Sequence, residues 1–323
     1  MNIQRPMRFF TVICLVAILA SCASFQPAEK ELPPLRVEYT YWWGDFTILV
    51  AQELGLFEKY NVDVEPVYYD VFSEALPALA TGAVDGGLFA PDDVLSTNDS
   101  SPVKVVAVYD DGGTNYVIGA PEIKSPADLK GKLVGVNIGT FGELFIARTL
   151  AEAGLTTRDV TLIDTAVENV PAQLGNTIDA GYAWDPFASD AISNGANLLY
   201  KSGSQNSITP DLIVFRSDVA GQRPDDIRAF LKAWFEAVEY RLTNPEEANQ
   251  IIAREMGIAP EELSEDAQLF TSDVNKQLFS GEAMAGRIGP AEVLTENADF
   301  LIRLGTLSKK PILSEILDPS YLP

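Results

Sequence analysis

The chain has 323 residues, 47% hydrophobic and 21% charged, enough apolar material for one large or two medium globular domains. Acids outnumber bases 46 to 23 and the net charge is −23, a surface that repels nucleic acid and anionic lipid. There is no histidine, which excludes a Ser-His-Asp set outright.

Residues 1–21 hold Arg5 and Arg8 and no acid, and Phe9 to Ala20 is apolar. A run of about a dozen apolar residues is too short to span a bilayer and reads as a targeting signal. It ends in Leu19-Ala20-Ser21-Cys22, which resembles the bacterial lipoprotein signal. That resemblance implies cleavage before Cys22, diacylation of its thiol and acylation of the new amino group. The alternative is a plain secretory signal with a chance cysteine. Cys14 would be removed, leaving one cysteine and no intramolecular disulfide. The remainder carries 21 basic against 46 acidic side chains, net −25. Ala23 follows the cysteine, so the aspartate that marks inner-membrane retention in some bacteria is absent. Residues 22–34, with Pro27, Pro33 and Pro34, read as an extended tether.

From Leu35 the pattern alternates between strands and helices. Leu35–Tyr41 is a first strand, interrupted by Trp42-Trp43-Gly44; Phe46–Leu54 is helical and stops at Gly55. A second strand follows through Val62 and Val64, then a helix over Ala75–Ala80. Gly82–Gly87 leads into a third strand and the loop Phe89–Asp93. Val103–Tyr109 is a strand, 110–115 a Gly-rich loop, and Tyr116–Gly119 extended. Lys132–Ile138 is a buried strand, Gly139–Gly142 a tight turn and Glu143–Ala153 a helix. A turn of this kind aims free backbone N–H groups beyond the strand end, where open α/β sheets bind small ligands. Val160–Asp164 is another strand, Leu212–Phe215 is extended, and Pro224–Tyr240 is a long helix. Gly82–Phe89 and Gly175–Tyr182 echo each other: Gly, then an apolar residue, Asp, a small residue, Gly and a bulky residue. Each is followed by a Pro and an Asp. One such unit per half suits two facing lobes.

Several segments carry a family resemblance. "Leu-Gly-Leu-Phe-x-Lys" at 54–59, "Asp-Leu-Lys-Gly-Lys" at 128–132, "Ile-Asp-Ala … Trp-Asp-Pro-Phe" at 178–187 and "Phe-Leu-Lys-Ala-Trp-Phe-Glu-Ala" at 230–237 resemble the nitrate/sulfonate/taurine and thiamine-precursor family of substrate-binding proteins. The likeness covers nearly all of the chain from Leu35. It implies an α/β, two-lobed type II periplasmic-binding-protein fold with a cleft between lobes and two crossover segments. Tyr116–Gly119 and Leu212–Phe215 are the expected crossovers, giving lobe one as 35–117 and 216–323 and lobe two as 118–215. The implied function is a monomeric, lipid-anchored binding protein on the extracytoplasmic face of the cell membrane. It would capture a small molecule for an ABC permease and its ATPase subunit, with no cofactor, no metal and no catalysis.

Five loops are expected to line the cleft: Tyr41–Asp45, Phe89–Asp93, Asp110–Asn115, Gly139–Glu143 and Trp184–Phe187. They hold aromatics and acids but no Lys or Arg. A sulfonate or nitrate would have to rely on backbone N–H groups amid repelling acids. An aromatic heterocycle can stack on Trp and Phe and donate N–H and O–H groups to carboxylates. Riboflavin or a thiamine-type pyrimidine is therefore the favoured ligand, and sulfonate, taurine or nitrate the alternative. Several relatives carry Ser-x-Gly-x-Asp in the third loop, where this chain has Gly112-Gly113-Thr114-Asn115-Tyr116. The candidate ligand-binding residues are Trp42, Trp43, Phe89, Asp92, Asp111, Asn115, Thr140, Phe141, Glu143, Trp184 and Asp185, with Cys22 as the lipidation site. The competing structural roles are packing under loops for Trp43 and Phe187, and helix-end placement for Glu143, Asp185, Asp92 and Asp93. Yeast relatives of the fold use a His and a Lys-bound pyridoxal phosphate to build the thiamine pyrimidine. A chain without His, and without Lys in these loops, has no donor for that chemistry. A membrane-attached sensor domain could use the same cleft without a permease.

Overall fold

In a computed structural model, the described residues are Met1, 32–113, 115–202, 210–263, 267–281 and 289–323. The expected signal peptide, Cys22 and nearly all of the tether lie outside them. Among the described residues, no helix is long and apolar enough to cross a membrane.

The first half alternates strand and helix: β1 (Leu35–Tyr39), α1 (Thr47–Glu53), α2 (Leu56–Lys59), β2 (Val64–Tyr68), α3 (Phe72–Thr81), β3 (Gly86–Phe89), α4 (Pro91–Ser100) and β4 (Val103–Val108). The middle repeats the alternation: β5 (Asn115–Gly119), β6 (Leu133–Val136), α5 (Phe141–Glu152), β7 (Thr161–Asp164), α6 (Val170–Gln173), β8 (Ala180–Trp184), α7 (Phe187–Ser193) and β9 (Asn197–Ser202). Then come β10 (Leu212–Arg216) and the helices α8 (Ser217–Gln222), α9 (Pro224–Thr243), α10 (Pro245–Met256), α11 (Ser272–Ser280) and α12 (Pro290–Leu304).

The strands form two five-stranded sheets, ordered β2-β1-β3-β10-β4 and β7-β6-β8-β5-β9. In each, three parallel strands are followed by one antiparallel strand inserted at the fourth place. This is the two-lobed α/β architecture. The sequence echo marks equivalent positions. Asp85 accepts the Arg36 amide at the start of β1, and Asp179 accepts the Leu133 amide at the start of β6, at 3.0 and 2.8 Å. Each carboxylate thus ties the turn before one strand to the head of its parallel neighbour.

The expected crossovers need correction. Tyr116–Gly119 lies in β5, between β8 and β9, and Leu212–Phe215 lies in β10, between β3 and β4. Val117, Ile118, Leu212, Ile213, Val214 and Phe215 are all fully buried. An uninterrupted apolar run is the mark of a strand covered on both faces, so these segments are central strands rather than connectors. The chain leaves sheet one after β4 and returns before β10. The strand content of lobe one is therefore 35–108 and 212–216, and that of lobe two 115–202. Behind sheet one, α9 packs on α1 and α2. Its buried Ile227, Phe230, Leu231, Trp234 and Val238 follow helical spacing.

Candidate functional site

A cleft of about 680 Å3, mouth included, opens where strand ends of the two sheets converge. Lobe one contributes Thr40, Trp42, Asp45, Asp92, Asp93 and Asp211 among others. Lobe two contributes Asn115, Asn137, Thr140, Phe141, Tyr182 and Trp184. The four bordering acids all come from lobe one, and no Lys or Arg borders the cleft among the described residues.

The floor on the lobe-one side is a hydrogen-bonded wall. Asp45, 1% exposed, accepts Thr40 N and Oγ1 on one oxygen and Tyr109 Oη on the other. Trp234 of α9 meets the Tyr109 ring edge-on at 5.7 Å, so the helix behind the sheet props the wall. Burial pushes the Asp45 carboxyl up to about 7, although the bonds from Tyr109 and Thr40 pull the other way. Asp110 is fully buried and accepts Trp42 Nε1 and Gly112 N, both at 2.8 Å. This bond fixes the indole at the cleft. Gly44 is needed here, since a Cβ would lie 2.0 Å from Asp110 Oδ2. Burial raises Asp110 to about 6. It shares a hydrogen bond with Asp211, whose carboxyl burial and the Asp110 charge push well above the usual range. Two carboxyl groups bonded to each other need one proton between them, and the pair titrates as a unit.

Asp92 and Asp93 occupy the first turn of α4. The carboxylate of Asp92 accepts Phe141 N, at the start of α5 on the opposite lobe, as well as amides of its own helix turn. A helix N-terminus is a ready anion site, and here the chain's own carboxylate fills it. Burial raises Asp92 to about 6; burial and the neighbouring charge raise Asp93 further. A second link crosses the cleft where Phe72 N donates to Glu168 at 3.2 Å.

Lobe two offers rings. Tyr182 meets Phe141 edge-on at 6.1 Å and Trp184 at 5.8 Å, and Phe72 of lobe one meets the far side of Trp184 at 5.8 Å. The Tyr182 hydroxyl donates to Asn115 Oδ1. Gly142 lets α5 approach this cluster, since a Cβ there would sit 2.6 Å from the Tyr182 ring. Trp184 Nε1 is buried without a hydrogen-bond partner.

Of the residues singled out from sequence, Trp42, Asp92, Asn115, Thr140, Phe141 and Trp184 border the cleft. Trp43, Phe89, Asp111, Glu143 and Asp185 do not, each for a local reason. Trp43 turns away and lies under Arg241 of α9, the guanidinium 4.1 Å from its ring centroid. Phe89 packs in the core while Leu88 and Ala90 border the cleft, because successive strand side chains point to opposite faces. Asp111 accepts Gly113 N and Gln268 N, and Glu143 accepts Gly139 N. Asp185 accepts Ser189 N and Oγ in the first turn of α7 and the Tyr116 hydroxyl. Sequence reasoning missed Phe72, Tyr109, Asn137, Val167, Tyr182 and Asp211. Tyr182 was recoverable, since it ends the repeated Gly-x-Asp unit two residues before Trp184.

The family model described as NMT1/THI5 like matches residues 45–248. A putative binding protein of Brucella abortus (strain 2308) is 27% identical over 86% of this chain and 88% of its own. A putative aliphatic sulfonates-binding protein of Bacillus subtilis (strain 168) is 23% identical over 96% of this chain and 94% of its own. Among solved structures, the alkanesulfonate-binding protein SsuA from Xanthomonas axonopodis pv. citri, bound to MOPS, superposes with a TM-score of 0.69 at 17% identity, over 89% of this chain and 99% of that one.

Proposed function

This chain belongs to the NMT1/THI5-like family, and we propose that it is the extracytoplasmic solute-binding protein of an ABC importer, capturing an aromatic heterocyclic vitamin or precursor of riboflavin or thiamine-pyrimidine type. The observation that carries the ligand class is the composition of the cleft: indole, phenyl and phenol rings from both lobes, four carboxyl groups and, among the described residues, no cationic side chain. A flat ring gains about 1 kcal/mol from each well-placed aromatic neighbour beyond its area burial. Each N–H or O–H it donates to an ionised acid adds about 1.5–3 kcal/mol.

A sulfonate or nitrate is the second reading, favoured by the name of the Bacillus subtilis relative. Against it stands the α5 N-terminus, whose Phe141 amide is already taken by Asp92. Mass spectrometry of ligand released from the purified protein tests the choice, followed by calorimetry with riboflavin, a thiamine-type aminopyrimidine and an alkanesulfonate. Tight binding of the sulfonate with no heat from either vitamin-type compound overturns the ring reading.

The motif Leu19-Ala20-Ser21-Cys22 supports anchoring through an acylated Cys22, with a permease and its ATPase as partners of a monomeric binding protein. A Cys22→Ser variant then loses labelling by a fatty-acid analogue and leaves the membrane fraction; unchanged labelling rules the anchor out.

A further inference from the structure

Asp92 and Asp93 are 2% and 3% exposed, and both border the cleft. Each keeps one oxygen with no hydrogen-bond partner: Asp92 Oδ1 and Asp93 Oδ2. Behind them on β1, Glu38 is fully buried and its Oε1 is likewise unpartnered, while its other oxygen holds Leu88 N. Buried acceptors in native proteins almost always have a donor, so unpartnered ones that border a cavity point to donors arriving with a ligand. A neutral ring could supply N–H groups, but it would leave the charge of neighbouring buried acids uncompensated. A cation supplies both.

We propose that the cleft takes its ligand as a cation: a planar, amidinium-type nitrogen group docked on Asp92 and Asp93, with its attached ring among Phe141, Tyr182 and Trp184. This rests on the small-ligand reading above and adds the sign of the charge and where it sits. An amidinium spreads one positive charge over two N–H edges, so a single group can donate to both carboxylates. The unpartnered Trp184 Nε1 then offers one donor to an acceptor on the ring. The titratable groups facing the pair reinforce the preference. They are Glu38 of β1, Asp211 before β10 and Tyr182 of β8, with Asp45 and Tyr109 bordering the same cleft, and none among the described residues is basic. Burial holds both the Asp92 and Asp93 carboxyls above their ordinary range, and the Asp92 charge adds to the rise at Asp93, so a cation arriving there would favour their ionised forms.

The test uses three ring probes of similar shape and different charge: benzamidine, benzamide and benzenesulfonate, titrated calorimetrically into the ligand-free protein at about pH 8. Benzamidine is expected to bind at least about tenfold more tightly than benzamide, and benzenesulfonate not detectably. Asp93→Asn and Asp92→Asn should each erase about tenfold of the benzamidine affinity while leaving benzamide within about twofold, with melting curves showing that the variants fold. If one variant fails to fold, the other still decides. Equal affinity for benzamidine and benzamide overturns the cation proposal and leaves the ring reading standing, as does a benzamidine affinity indifferent to both substitutions. Failure of all three probes overturns the cation proposal, and binding of a linear alkanesulfonate alone overturns the ring reading with it.

Discussion

The two lobes share a strand order and an Asp-anchored turn, yet they bring opposite chemistry to the cleft. Lobe one brings carboxyl groups, stacked behind by Tyr109, Trp234 and Phe230 so that rings support acids from within. Lobe two brings its rings to the surface of the cleft, and among the described residues no charged side chain of that lobe borders it. One architecture can thus divide recognition between an electrostatic wall and a stacking wall. Outside the cleft the contrast continues. In lobe two, exposed Asp128 and Asp159 are held below the usual carboxylate range by local amide and hydroxyl donors at helix starts. The buried Glu38, Asp45, Asp92, Asp93 and Asp110 of lobe one are pushed up.

Removing the prop behind the acid wall should break the contrast most severely. Trp234→Ala empties a fully buried site in lobe one and should cost about 3–5 kcal/mol in denaturant unfolding. A loss under about 1 kcal/mol would mean that the wall does not lean on α9.

Acidification sharpens the contrast through charge alone. Asp45 is raised to about 7 and Asp92 and Asp110 to about 6, all from 3.8. The folded protein therefore holds protons that the unfolded chain has released, and stability rises as pH falls through about 7 to about 4. The gain is complete once pH is below the unfolded value. The lowered Asp128 and Asp159 act in the other direction and only as pH falls below their ordinary value. The melting temperature of the ligand-free protein should accordingly rise from about pH 8 to about pH 5. Asp45→Asn should gain on the order of a few kcal/mol at the higher pH and flatten the rise. A wild-type curve that is level or falls on acidification contradicts this account.

On the stacking wall, Trp184→Ala should weaken ligand binding by about tenfold. On the lobe-one side, Trp42→Ala should weaken it several-fold, with stability in both variants changed less than in Trp234→Ala. Binding unchanged in Trp184→Ala would move the ligand away from lobe two. The smallest effect separates the paired turns. Arg36 makes two-point contact with Asp85, whereas Lys132 approaches Asp179 only at 3.8 Å. Both basic side chains are more than a third exposed, so Arg36→Ala should cost no more than about 1 kcal/mol and Lys132→Ala about nothing.

Much of this layout was legible in the sequence because it is local. The Gly-x-Asp echo is a short-range pattern and falls where expected; the strand-to-helix turn is present too, but β6 ends at Val136 and α5 begins at Phe141, two residues before the expected Glu143. The family likeness extended that reading to the two-lobed fold. Facing decisions were less legible. Nothing in Trp42-Trp43 says which indole meets Asp110 and which meets Arg241, since both partners come from distant segments. Phe89 illustrates the limit at a strand end: of the expected loop 89–93, Phe89 closes β3 and Pro91–Asp93 open α4, and a shift of one residue decides core or cleft. Asp211 was invisible because its position depends on β10 inserting between β3 and β4. The same insertion explains why Leu212–Phe215 was read as a connector, as the place of β5 between β8 and β9 does for Tyr116–Gly119.

That insertion also sets a timetable for a chain made from its N-terminus. Sheet two is assembled from consecutive residues 115–202, so all its partners exist as soon as β9 has been synthesised. Sheet one needs β10, which follows every strand of the other lobe. Until then β3 and β4 lack the strand that joins them, leaving apolar Leu88, Val105 and Ala107 beside unpaired backbone. The later-made lobe can thus close first, and the N-terminal half emerges as the segment that needs shielding from aggregation before its last strand arrives.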